Sequence, residues 1–234
     1  MYESGPWKED LKRRRQLLLQ YNTKEHFEKD EDKAYAVIEK AIFYSAFIIR
    51  KLLDCNGKMS DEADQYAIKV TEWKPTRKIT AMHRWPREGE FDWEEGKTKN
   101  VLGNKVCNWL IHSFVFLTEV NEDGTIESFF VSSDYDKNKV AYQVEISEWE
   151  KYMKFIETDW VVSLHSHYDE KKQTSVYKGY KQDKIEMRGD RAEMSDFPLY
   201  LNTVAGGLDR RDQTIGGFSF VVKIYAVPVV EIIR

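Results

Sequence analysis

The segment from Lys33 to Cys55 constrains this 234-residue chain more than any other. Val37, Ile38, Ala41, Ile42, Ser45, Ile48, Ile49, Leu52 and Leu53 recur at spacings of three and four. That repeat places them on one stripe of an α-helix. Asp30 and Asp32 put negative charge at its start, where the helix dipole favours it. Gly57 can adopt the left-handed conformation that ends a helix. Tyr35, Phe43 and Phe47 lie off the stripe, so more than one face of this helix needs cover. A helix of that kind belongs in the centre of a bundle.

Its neighbours extend the helical reading. Lys8 to Gln20 carries Leu11 and Leu17 to Leu19 among charges. Its Arg13-Arg14-Arg15 run reads as a solvated face, with an anion contact as the alternative. Ser60-Asp61-Glu62 predicts a helix start, with the helix running to about Thr71 before Lys74-Pro75. Lys78 to His83 reads as a short strand, and Asn100 as the cap of a helix over Val101 to His112.

After His112 the period changes to two, the repeat of strands. Phe114 to Val120 and Thr125 to Ser132 flank the turn Asn121-Glu122-Asp123-Gly124. Val140 to Ile146 is the next strand. Ser147-Glu148-Trp149-Glu150 has the form of a capping box, predicting a helix over residues 147–158. Trp160 to Tyr168 and Gln173 to Tyr180 form a second hairpin. Pro198 to Ala205 and Phe218 to Ile233 read as further strands, the latter central. The expected fold class is α+β: an N-terminal helical bundle, residues 1–112, followed by a mostly antiparallel β-sheet, residues 113–234. The helix ending at His112 runs directly into a strand, which favours one continuous core.

Composition narrows the function classes. With 41% hydrophobic and 14% aromatic residues, the chain carries enough apolar surface to fold. Ala41 to Ile49 is far short of the roughly 18 apolar residues of a membrane span. The polar Met1-to-Asp10 segment does not read as a signal peptide. Two cysteines, Cys55 and Cys107, suit a reducing cytoplasm. A cytoplasmic protein with no membrane partner and no cofactor is expected. The net charge of −4 conceals opposed blocks. Lys74, Arg77, Lys78, Arg84 and Arg87 occupy a stretch without acids, and Glu88, Glu90, Asp92, Glu94 and Glu95 follow without a base. The two neutralise each other if they fold side by side.

Three constellations carry candidate chemistry. Asn108 and His112 are four apart and share a helix face, and a histidine there can serve as acid or base. With the long apolar helices before it, this Asn-x-x-x-His segment resembles the HEPN superfamily, many of whose members are ribonucleases of toxin–antitoxin and defence systems. The resemblance covers at most residues 30–115 and implies catalytic roles for His112 and Asn108, RNA as partner, and a homodimer. Cys107 stands where the family has arginine, with Lys105 at a longer spacing. The Ile111-His112-Ser113 segment between a helical half and a strand-rich half is similar to uncharacterised bacterial proteins. The competing reading makes His112 a packing residue beside Trp109, Ile111 and Phe114.

His165 and His167 point the same way in a strand and are candidate metal ligands. His165-Ser166-His167, seven residues, then Ser175 resembles the JAMM metalloproteases. Lys178 replaces the aspartate that would be the third ligand, and Tyr168 replaces a proline. The competing reading is a hairpin with polar residues on its exposed face. Finally, Lys171, Lys172, Lys178 and Lys181 interleave with Tyr168, Tyr177 and Tyr180. With Arg84 and Trp85 they are candidates for a nucleic-acid surface that pairs phosphates and stacks bases. A solvated hairpin is the alternative. Together these features favour a non-catalytic binding or regulatory module, for RNA or a partner protein. A His112 ribonuclease and a metal-dependent hydrolase at His165 and His167 are the alternatives.

Overall fold

The computed structural model describes residues 3–80, 89–169, 171, 173–181 and 220–223. The chain forms two compact units, residues 1–161 and 162–234.

In the first unit the helices are α1 (Gly5–Tyr21), α2 (Lys24–Lys29), α3 (Glu31–Leu53), α4 (Asp61–Gln65), α5 (Gly103–Ile111) and α6 (Ile146–Glu157). The strands are β1 (Ala67–Trp73), β2 (Lys97–Leu102), β3 (Ser113–Val120), β4 (Ile126–Ser133) and β5 (Ala141–Glu145). They form one five-stranded sheet in the order β2-β1-β5-β4-β3, with every pair antiparallel. The fold class is α+β, helices first and then an antiparallel sheet. α5 carries the chain from one edge strand, β2, to the other, β3.

α3 is the central helix that its stripe predicts. Asp30 caps it by accepting a hydrogen bond from the Lys33 amide at 3.0 Å. Ile38, Ile42, Ile49 and Leu52 are fully buried, each worth roughly 2 kcal/mol of apolar burial. They share a core with Leu11 and Leu18 of α1, Val106 and Leu110 of α5, Trp149 and Ile156 of α6, and Phe129, Val131 and Val144 of the sheet. Ser45 is the polar member of the stripe for a specific reason. Its Oγ accepts from Trp149 Nε1 at 3.1 Å and donates to the Ile42 carbonyl at 2.8 Å, so the buried indole keeps its partner. Among the described residues, no helix is long and apolar enough to cross a membrane.

Polar groups also tie the helix layer together. Arg15, from the arginine run, meets Glu157 at 2.9 Å and Glu150 at 2.8 Å, both on α6. Burial opposes the Glu157 charge, but hydrogen bonds from Arg15 and Lys154 outweigh it and hold the carboxyl below its ordinary range. The run is therefore neither wholly solvated nor an external anion contact. Asp159 is fully buried and accepts from the Ser60 amide and hydroxyl at 2.7 and 2.6 Å.

Several local expectations are corrected. The helix expected to reach Thr71 stops at Gln65, and β1 follows. Ile68 and Val70 alternate on the buried face, and pairing with both β2 and β5 outweighs the helical start signal. Asn100 lies inside β2 rather than capping a helix, because residues 97–102 pair with β1 in continuous register. α5 instead starts at Gly103, which packs so closely on Tyr152 that a Cβ would collide with its ring. The capping box does not form: α6 begins at Ile146, and the Ser147 hydroxyl donates to Glu145. Residues 78–80 form no strand, and 81–83 lie outside the described residues.

The opposed charge blocks do meet. Pro75 bridges to Phe91, the Thr76 amide donates to Glu90 at 2.9 Å, the Asp92 amide donates to Lys74 at 2.9 Å, and Arg77 pairs with Glu90. Ile79 and Phe91 from this segment pack with Val115 and Ala141 in a second, smaller cluster.

In the second unit β6 (Ser163–Asp169), β7 (Thr174–Tyr180) and β8 (Phe220–Lys223) form a three-stranded antiparallel sheet in the order β7-β6-β8. The predicted second hairpin is thus present. The expected strand over 198–205 and the glycine pairs at 206–207 and 216–217 lie outside the described residues, as does most of 218–233.

Candidate functional site

Register decides which side chains share a face of the five-stranded sheet. Trp73 lies opposite Ala141, Gln143 opposite Phe130, Phe130 opposite Leu117, and Ser128 opposite Glu119. Directly opposed residues point the same way. These form the face turned away from the helical core, which takes Phe129, Val131, Tyr142 and Val144 from the alternate positions.

On the open face lies a cleft of about 470 Å³, lined by Trp73, Trp93, Leu117, Thr118, Glu119, Phe130 and Gln143. Trp93 comes from the acidic segment and stands between two rings of the sheet. It meets Trp73 edge-on at 5.4 Å between centroids and Phe130 edge-on at 5.0 Å, the favoured geometry for aromatic pairs. Trp93 is 38% exposed, so it is not sealed from solvent by these contacts. Gly96 makes room for this packing: a Cβ there would come within 2.6 Å of the Trp73 ring.

Hydrogen bonds order the cleft's polar groups. Trp73 Nε1 donates to Gln143 Oε1 at 3.0 Å, which fixes the amide's orientation. Gln143 Nε2 then donates to Glu119 Oε2 at 2.6 Å and to Ser128 Oγ at 3.0 Å. Ser128 Oγ in turn donates to the same Glu119 oxygen at 2.7 Å. Four strands thus hold one exposed carboxylate in a set position beside an aromatic wall. A smaller cleft of about 230 Å³, lined by Tyr35, Glu39, Phe116, Leu117 and Thr118, flanks the same edge strand.

None of the described residues singled out in the sequence is among those lining this cleft. His112 is exposed and serves as the C-cap of α5, while Asn108 is half-buried on the helix itself. His165 is exposed on β6, directly opposite Lys178, with its ring edge-on to Tyr180 at 5.1 Å. His167 occupies the next same-face position of β6, opposite Val176. Among the described residues, no group of three His, Cys, Asp or Glu side chains could hold a metal ion. Lys171 and Lys178 are exposed and Lys181 is half-buried. Lys171 precedes β7 and Lys181 follows it, so the length of the strand, roughly 20 Å, separates them. Lys172, Arg84 and Trp85 lie outside the described residues.

Sequence reasoning did not single out the cleft. Its available signals were small: Gln143 and Ser128 are polar positions among apolar strand residues, and Trp93 is aromatic within an acidic run. No protein-family model, no curated protein and no solved structure matches the chain.

Proposed function

We propose that this protein is a non-catalytic binding module whose ligand enters the aromatic cleft on the open face of the five-stranded sheet. The observation that supports this reading is the hydrogen-bonded chain Trp73–Gln143–Glu119–Ser128 in a cleft that the partly exposed Trp93 also lines. A concave site with aromatic walls and a few oriented polar groups is the common form of a ligand pocket. Among the described lining residues there is no cysteine, histidine or lysine, and the Ser128 hydroxyl beside them is engaged with Glu119 and Gln143, so the lining offers binding chemistry rather than an activated nucleophile.

A thermal-shift screen of a chemically diverse ligand set, run on wild type and Trp93→Ala in parallel, tests the proposal. At least one ligand is expected to raise the Tm of wild type and leave that of the variant unchanged. Equal shifts in both proteins, or none in either, overturn it. An RNA degradation assay of wild type against His112→Ala tests the ribonuclease alternative. Activity lost in that variant would move the function to α5.

A further inference from the structure

We infer that the cleft receives a guanidinium group, an inference that rests on the cleft being the binding site. The first reason is charge. Glu119 is the ionisable group of the described lining, and no basic side chain accompanies it. Trp93 is flanked by Asp92, Glu94 and Glu95, the latter two exposed. A phosphate brought here would meet carboxylates, whereas a cation would be attracted.

The second reason is how the donors are used. The Trp73 indole N–H and the Gln143 amide are committed within the network. Both hydrogen bonds to Glu119 fall on Oε2. Oε1 of this exposed carboxylate keeps its capacity to accept, so the cleft asks for a hydrogen-bond donor.

The third reason is shape. The partly exposed Trp93 lines the same cleft as this carboxylate. A guanidinium is planar, stacks on indole faces, donates several N–H groups and is weakly hydrated. A quaternary ammonium has no N–H to give to Oε1, and a lysine ammonium loses more hydration. The cleft volume of about 470 Å³ exceeds one guanidinium and accommodates the chain that bears it. That chain is either an arginine side chain of a peptide or a free guanidino compound.

Titration of wild type, followed by tryptophan fluorescence and indole N–H resonances, separates these ligands. The probes are N-acetyl-arginine methylamide, an arginine-containing tripeptide, methylguanidinium, N-acetyl-lysine methylamide, tetramethylammonium and GMP. The arginine probes are expected to bind saturably and about tenfold more tightly than the lysine probe and tetramethylammonium, with weaker binding at high salt. A tripeptide that outbinds methylguanidinium identifies the peptide source, and the reverse order identifies the small compound. Glu119→Gln, whose amide oxygen can still accept from Gln143 and Ser128, is expected to weaken binding about tenfold. Tighter binding of GMP or tetramethylammonium, unchanged binding in Glu119→Gln, or no binding of any guanidinium-bearing probe overturns the inference. In that event a ligand that stabilises wild type but not Trp93→Ala would leave the cleft in place as a binding site. The absence of any such ligand would remove both readings.

Discussion

The two faces of the five-stranded sheet are built from adjacent residues of the same strands, yet they obey different rules. Tyr142 and Val144 face the helices and are almost wholly buried, while Gln143 between them faces the cleft. Phe129 is buried in the core, and Phe130 lines the cleft. Both faces use a tryptophan whose indole N–H has a side-chain partner. Trp149 gives its proton to Ser45 inside the helical core, and Trp73 gives its proton to Gln143 at the cleft. In the core the bond satisfies a group that water cannot reach. At the cleft it orients an amide that in turn orients a carboxylate. The same interaction serves stability on one face and presentation on the other.

The comparison predicts a graded series of substitutions. Trp149→Ala removes a fully buried ring and leaves Ser45 without its donor, so it is expected to cost about 4 kcal/mol, read as a lower urea midpoint. A cost near that of a surface change would break the distinction between the faces. Arg15→Ala leaves Glu157 buried without its main partner and is expected to cost about 3 kcal/mol in the same measurement.

That variant also carries a pH signature. The Glu157 carboxyl sits below its ordinary value in the folded protein. Its contribution is therefore present above the unfolded carboxylate pKa and is lost as pH falls through the folded one. Wild type should lose stability on acidification over that window, and Arg15→Ala should lose less. Identical acid profiles would show that the pair is not the source.

On the open face the effects are smaller for folding and larger for binding. Gly96→Ala forces a Cβ toward the Trp73 ring and is expected to cost about 1–2 kcal/mol while shifting that ring's indole resonance. Trp93→Ala is expected to cost about 1 kcal/mol of stability, since the ring is already partly in water, while it removes ligand binding. A loss of stability equal to that of Trp149→Ala would mark Trp93 as a core residue instead.

Legibility differed along the chain for a physical reason. α3 was readable because its buried positions recur within a few residues and its cap, Asp30, lies next to it. The hairpin of β3 and β4 was readable for the same reason, through the turn at Asn121 to Gly124. β1 was misread as helix because its start signal is local, while its reason to be a strand lies in pairing with β2 and β5. His112 and His165 stand out as candidates in the sequence because their motifs are local. The cleft was not, because Trp73, Trp93, Glu119 and Gln143 come from four separate segments.

By itself, then, the sequence determined the helical stripe, the period-two strands and hence the α+β class, all from contacts between near neighbours. It also set the opposed charge blocks that pair through Arg77 and Glu90. Only the tertiary structure decided that Gln143 would stand beside Glu119 and beneath Trp73. That proximity follows from strand order and register, which depend on pairing between residues far apart in the chain.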